Sequence, residues 1–97
     1  MQFIFRSNGQ YLGFVDNGYL FSRDGVYLGW VEERFVWGTN GQFKGFIPDD
    51  GKYILRNIYT VPPVPKPARP IPSVPALPTP QANIAPIVLQ VGFVDAF

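Results

Sequence analysis

Apolar residues in this chain come in short bursts of alternating pattern, broken by polar pairs that contain glycine. Four bursts are aromatic and β-branched: Phe3-Ile4-Phe5, Tyr19-Leu20-Phe21, Phe35-Val36-Trp37 and Tyr53-Ile54-Leu55. Each has the composition and length of a half-buried strand. A second set follows at Tyr11–Val15, Tyr27–Val31 and Phe43–Ile47, with a distant fourth ending in Val91-Gly92-Phe93-Val94. No stretch places apolar residues at the 3.6 spacing of a helix. The pattern predicts an all-β chain of hairpins.

The hairpins repeat. Asn8-Gly9-Gln10-Tyr11-Leu12-Gly13-Phe14-Val15 returns as Asp24-Gly25-Val26-Tyr27-Leu28-Gly29-Trp30-Val31 and as Asn40-Gly41-Gln42-Phe43-Lys44-Gly45-Phe46-Ile47, a spacing of 16 each time. Asn-Gly and Asp-Gly predict two-residue type I′ turns, which need positive φ at both central residues. That turn would pair Phe5 with Leu12, Ile4 with Gly13 and Phe3 with Phe14, and the later copies alike. By analogy Ile54 meets Gly92 and Tyr53 meets Phe93. One face then carries Phe3, Phe5, Leu12, Phe14, Tyr19, Phe21, Leu28, Trp30, Phe35, Trp37 and Phe46. The other carries Ile4, Leu20, Val36 and Ile54 opposite glycines, beside Val15, Val31, Ile47 and Val94. Glycine inside a strand marks close approach of another backbone. The glycine–aliphatic face is therefore expected inside, and the aromatic face outside under a cover; the reverse placement fits the same alternation.

The fourth unit is split. Ten of the eleven prolines lie between Pro62 and Pro86, where a tight turn should be. The expected organisation is one domain, 1–97. Residues 1–60 hold three hairpins and the first strand of the fourth, 61–86 form an extended proline-rich arm, and 87–97 return as the C-terminal strand. The expected architecture is an antiparallel meander of four β-hairpin repeats, closed as a pseudo-fourfold barrel or ring. Closure would bring the last strand against both Tyr53–Thr60 and the first strand near Phe3, leaving no edge. The arm's Val64, Ile71, Val74 and Leu77 are expected to face the aromatic belt.

This pattern resembles the bacterial 4-fold β-flower protein family. The residues that carry it are Ser7-Asn8-Gly9-Gln10-Tyr11-Leu12-Gly13-Phe14 and the copies at 23–30 and 39–46. The resemblance implies four hairpins about a central axis. It lends no catalytic residue.

The chemistry available is narrow. The chain has 97 residues, a formal charge of +1, no cysteine and no histidine. Disulfides, thiolate chemistry and the usual neutral-pH base are excluded. Scattered basic residues make a poor footprint for nucleic acid, and no apolar run has the length of a membrane span. With no basic leader before the first strand, a cytoplasmic location is the default. No catalytic triad, phosphate loop, metal site or cofactor site is legible, so no catalytic residue, metal or cofactor is expected. Asp16, Glu32, Asp49 and Asp95 each follow a second strand and would form an acidic rim able to hold a hard cation. Arg69-Pro70-Ile71-Pro72-Ser73-Val74-Pro75 has the spacing of a ligand for aromatic polyproline grooves. The candidate interaction surface is Phe5, Phe14, Phe21, Trp30, Trp37 and Phe46 on the body, with Arg69, Pro72 and Pro75 on the arm. The expected function is a non-catalytic protein-interaction or oligomerisation module, self-associating as a homo-oligomer through the arm or the aromatic face. The alternative is a small-molecule or cation-binding domain, including a hydrolytic one, that uses the acidic rim.

Overall fold

A computed structural model describes residues 1–97. Eight strands form one antiparallel sheet in sequence order: β1 (Gln2–Phe5), β2 (Tyr11–Asp16), β3 (Tyr19–Ser22), β4 (Tyr27–Glu32), β5 (Phe35–Gly38), β6 (Phe43–Phe46), β7 (Leu55–Asn57) and β8 (Phe93–Asp95). There is no helix, and so none long and apolar enough to cross a membrane. The Cα extents are 37 × 34 × 18 Å, a thick disc.

The tight turns differ from expectation in a regular way. Arg6 accepts from Gly9 N–H at 2.9 Å, and Arg6 N–H donates to Gln10 at 2.8 Å. Ser22, Gly25 and Val26 repeat this, as do Gly38, Gly41 and Gln42. Each loop therefore holds three residues, not two. The third is a glycine with φ of 90°, 86° and 86° in turn, the left-handed position that closes such a loop into a bulge. Asn8 and Asn40 Oδ1 accept from the N–H two residues on, at 3.0 and 3.2 Å. The two-residue turn with both φ positive occurs instead between β2 and β3, at Asn17 (52°) and Gly18 (82°).

The extra residue shifts the faces. Ile4 pairs with Gly13 and Phe3 with Phe14 as expected, but Phe5 pairs with Tyr11 across a register break. Phe21 likewise meets Tyr27, and Trp37 meets Phe43. The bulge thus moves Tyr11, Tyr27 and Phe43 beside the aromatics. Leu12 and Leu28 leave that face and join Ile4, Val15, Leu20, Val31, Val36, Ile47 and Ile54 in the aliphatic cluster. That cluster draws on all four strand pairs.

The fourth pair is the larger correction. Leu55 pairs with Asp95, Arg56 with Val94 and Asn57 with Phe93. Gly92 lies in a turn at φ 93°, against Tyr59, and does not oppose Ile54. Ala96 takes that place: its N–H donates to Ile54 O at 3.0 Å and it packs on the aliphatic cluster. Alanine, not a fourth glycine, fills this site. Nor does β8 form a ladder with β1. Phe5 meets Tyr53 through an isolated parallel bridge, and Asp95 accepts from Ser7 N–H (2.8 Å) and Ser7 Oγ (2.6 Å). The two ends of the curled sheet are joined by that bridge, by the Asp95 side chain and by Arg6 Nε–H donating to Phe97 O at 3.1 Å.

Three glycines sit where neighbouring strand pairs meet. A Cβ on Gly13 would overlap Phe21 O, one on Gly29 would overlap Trp37 O, and one on Gly45 would overlap Leu55 O. The expected packing against backbone is found, and the backbone is that of the next pair.

Tyr11 and Tyr27 carry buried phenol oxygens with no hydrogen-bond partner, and burial pushes both phenols above their ordinary range. An unpaired buried hydroxyl carries its desolvation cost without return. Tyr11→Phe is therefore expected to leave stability unchanged or raise it by up to about 1 kcal/mol, read from urea denaturation. A loss of that size would show that the hydroxyl has a partner.

Candidate interaction surface

Sheet alternation sends the aromatics to one face, and register sets them side by side. Phe14 stacks on Phe21 with centroids 5.5 Å apart, and Trp30 on Trp37 at 6.5 Å and 18°. Each stack bridges two successive strand pairs. Phe43 meets Trp37 edge-on at 5.4 Å, and Phe46 meets Phe93 edge-on at 6.0 Å. Phe5, Phe14, Phe21, Trp30 and Trp37 are all buried, while Phe46 is half-buried.

Residues 61–90 carry neither helix nor strand and lie across this face. Along them, half-buried positions recur every third residue: Lys66, Arg69, Pro72, Pro75, Pro78, Gln81 and Ile84, with every position between them exposed. Three residues per turn is the period of a polyproline II helix. At about 3.1 Å per residue that run would be about 56 Å long if straight. The disc is 37 Å across, so the run curves. It visits the glycine turns in reverse order. Lys66 N–H donates to Gly41 O at 2.9 Å; Val74 and Leu77 lie against Gly25; Ile84 N–H donates to Gly9 O at 2.9 Å. The inner stripe is thus basic and proline-rich. Val64, Ile71, Val74 and Leu77, expected to face the aromatics, are exposed instead. Ile71, Val74 and Leu77 keep the three-residue period but each falls one residue before an inner position, and Val64 falls two before Lys66, so all four lie off the inner stripe.

Lys66 and Arg69 sit above the tryptophan stack. Lys66 Nζ lies 4.8 Å from the centroid of Trp37, and Arg69 Cζ lies 5.0 Å from that of Trp30. Both also reach Glu32: Lys66 Nζ donates to Oε2 at 2.6 Å and Arg69 pairs with Oε1. Trp30 Nε1–H donates to the same carboxylate at 3.1 Å. The Lys66 hydrogen bond, helped by Trp30 and the two cationic charges, holds the Glu32 carboxyl below its ordinary value of 4.5 against the opposing effect of burial. A depressed acid stabilises the state in which it is ionised. That contribution is complete above the ordinary value and is lost as pH falls through the depressed one. The expected outcome is tryptophan emission that is flat from neutral pH down to about pH 5, then shifts as protonated Glu32 releases Lys66 and Arg69. Glu32→Gln should remove that acid step. If both proteins titrate alike, Glu32 does not hold the segment.

The remaining carboxylates are dispersed. Asp49 pairs with Arg34 and Asp95 with Ser7. No three acidic side chains are placed to hold a metal ion, so the four do not gather as a ligand set. Of the residues chosen from sequence, Trp30, Trp37 and Arg69 converge. Pro72 and Pro75 share Arg69's stripe, and Phe46 lies apart beside two grooves. Glu32 and Lys66 were missed as members of this cluster. The signal for Lys66 was its place three residues before Arg69 in the stripe. Glu32 is two residues from Trp30, hence on its face.

The larger groove, about 430 Å³, opens where β6 meets β7 through the single pair Phe46–Leu55. Phe35, Phe43, Phe46, Ile58 and Val61 line it, with Arg56 and Asn57.

These features define an all-β protein of serial strand pairs whose aromatic face is covered by its own proline-rich segment. The chain matches the 4-fold beta flower protein family over residues 1–91 and belongs to it. Comparison with curated proteins and with solved structures finds no match.

Proposed function

We propose that this chain is a non-catalytic interaction module that self-associates. Its four hairpins stand about a pseudo-fourfold axis, and the proline-rich segment is a strap across them. The observation that carries this reading is the strap's outward side. Val64, Ile71 and Val88 are 83%, 79% and 98% exposed, and the turn before β8 adds Val91 at 89%. Aliphatic side chains so fully exposed along one segment offer apolar contacts to an association partner. A second copy is the occupant. With a net charge of +1, copies repel one another weakly. The β6–β7 groove, lined in part by the strap's own Val61, Pro62 and Pro63, offers an apolar socket to the apolar strap of a neighbour.

Light scattering over a concentration series tests this. The native chain should weigh a multiple of 10.9 kDa. Val64→Ser with Ile71→Ser should shift it toward the single-chain mass without loss of the far-ultraviolet signature of the sheet. A native chain at single-chain mass throughout would sink the reading.

A second reading rests on the same groove, whose volume falls in the range of small-molecule sites. Its one charged lining residue, Arg56, would select an apolar molecule bearing an acid group. The acidic side chains named from sequence are not among its lining. A thermal-shift screen of aromatic and aliphatic carboxylic acids, repeated on Arg56→Gln, separates the two readings.

A further inference from the structure

We infer that Trp30, Trp37 and Glu32 form a binding site for a basic polyproline II segment, and that the ligand taken in trans is residues 64–78 of a second copy. The inference rests on the self-association reading for the source of that ligand, not for the chemistry of the site.

The site has the parts such recognition needs. Two indoles lie nearly parallel, 18° apart, each with a cation above its face at 4.8 or 5.0 Å. One carboxylate serves both cations and is itself oriented by the Trp30 N–H. A polyproline helix brings every third residue to the same side, so Lys66 and Arg69 reach the pair together while Pro67 and Ala68 face away. Fixed proline φ angles reduce the entropy lost on docking. Charge, ring face and period all specify one ligand class: a cation, two residues, a second cation, on a proline-rich backbone.

Nothing in this geometry requires that the segment come from the same chain. The contacts are between side chains, joined by the one backbone bond from Lys66 to Gly41. Both ends of the segment return to the β7–β8 pair. A 25-residue loop anchored at both ends could still stand away from its body by roughly 40 Å, half its contour length. The disc is only 18 Å thick, so that loop reaches the cradle of a copy stacked on it. In the native chain the tethered segment competes at high effective concentration. The site therefore reads as filled until the cis contacts are weakened.

The test uses the full chain carrying Lys66→Ser and Arg69→Ser. The probe is a synthetic 15-residue peptide with the sequence of 64–78, and the control is the same peptide with serine at both basic positions. The chain has two tryptophans, both in the cradle, and the peptide has none, so emission reports this site alone. The variant should respond saturably to the basic peptide and at least about tenfold more weakly to the control. The native chain should respond to neither at the same concentrations. Adding Glu32→Gln should erase the difference between the peptides. Equal response to both peptides, or none to either, overturns the inference. If the double variant does not fold, Arg69→Ser alone frees the Trp30 face and is titrated with the same pair. Mixing the Lys66→Ser, Arg69→Ser chain, which offers an open cradle, with the Glu32→Gln chain, which offers a released segment, should give a two-chain mass. No such mass while the peptides are still discriminated counts against the second copy as source and leaves the site standing. Self-association without discrimination counts against the site alone.

Discussion

Gly29→Ala is expected to lower the melting temperature by about 12 °C or more, a loss of about 3 kcal/mol in a domain of this size. The added Cβ would overlap the Trp37 carbonyl oxygen, which is backbone of the facing strand and is held in the β4–β5 ladder. A flexible side chain could rotate away; a laddered carbonyl moves only with its strand. The φ of 153° adds strain that an L side chain resists. Against a total stability of about 5–15 kcal/mol, such a loss threatens folding near physiological temperature. Gly18→Ala is the control. Its φ of 82° is also positive, but a Cβ there meets nothing closer than Val31 O at 3.8 Å. Only the conformational cost remains, about 1–2 kcal/mol. Thermal unfolding of the two variants separates close approach from backbone strain. Equal losses would show that the contact between strand pairs does not matter.

Replacing 62–86 with a short Asn-Gly turn should leave the strands in place and strip the aromatic face. The shortened chain loses the backbone bonds from Lys66 and Ile84 to Gly41 and Gly9 and the bond from Tyr11 N–H to Asn83 Oδ1, together with the cations over Trp30 and Trp37. At about 1 kcal/mol for each hydrogen bond and about 0.5–1 for each cation–π contact, less the entropy regained, the net loss is about 2 kcal/mol or more. Tryptophan emission should shift to the red, and a hydrophobic dye should bind. The body can accept the closure because the β7–β8 pair is held by its own bonds, including Ile58 N–H to Gly92 O at 2.8 Å. Emission and dye binding like those of the full chain would reduce the segment to a tether.

Much of the fold was legible because its signals are local. Alternation over four or five residues marks each strand, and the 16-residue recurrence of Gly9, Gly25 and Gly41 counts the turns. The pairs Ile4–Gly13, Leu20–Gly29 and Val36–Gly45 followed from chain order and appear in the ladders. The faces went astray at Leu12 and Leu28. Asn-Gly and Asp-Gly fit a two-residue turn and a three-residue bulged loop alike, and one extra residue turns the next side chain over. The fourth pair went astray because Val91-Gly92-Phe93-Val94 copies the letters of Leu12-Gly13-Phe14-Val15 while lying four residues from the equivalent place. Beyond a 25-residue segment, similarity of letters no longer sets register.

The amino-acid sequence by itself determined the class of structure, the serial strand pairs, the small residues where pairs approach, and a segment unable to join a sheet for want of N–H donors. Those properties follow from steric and hydrogen-bonding limits of residues near one another in the chain. Tertiary structure alone decided which side of the proline-rich segment faces the body, that Lys66 and Arg69 meet Glu32 and the two tryptophans, and that Ala96 fills the fourth small site. A polyproline helix has no hydrogen bonds of its own, so its rotation and path are set only by what it touches: three turn glycines, two indoles and one carboxylate brought together by folding.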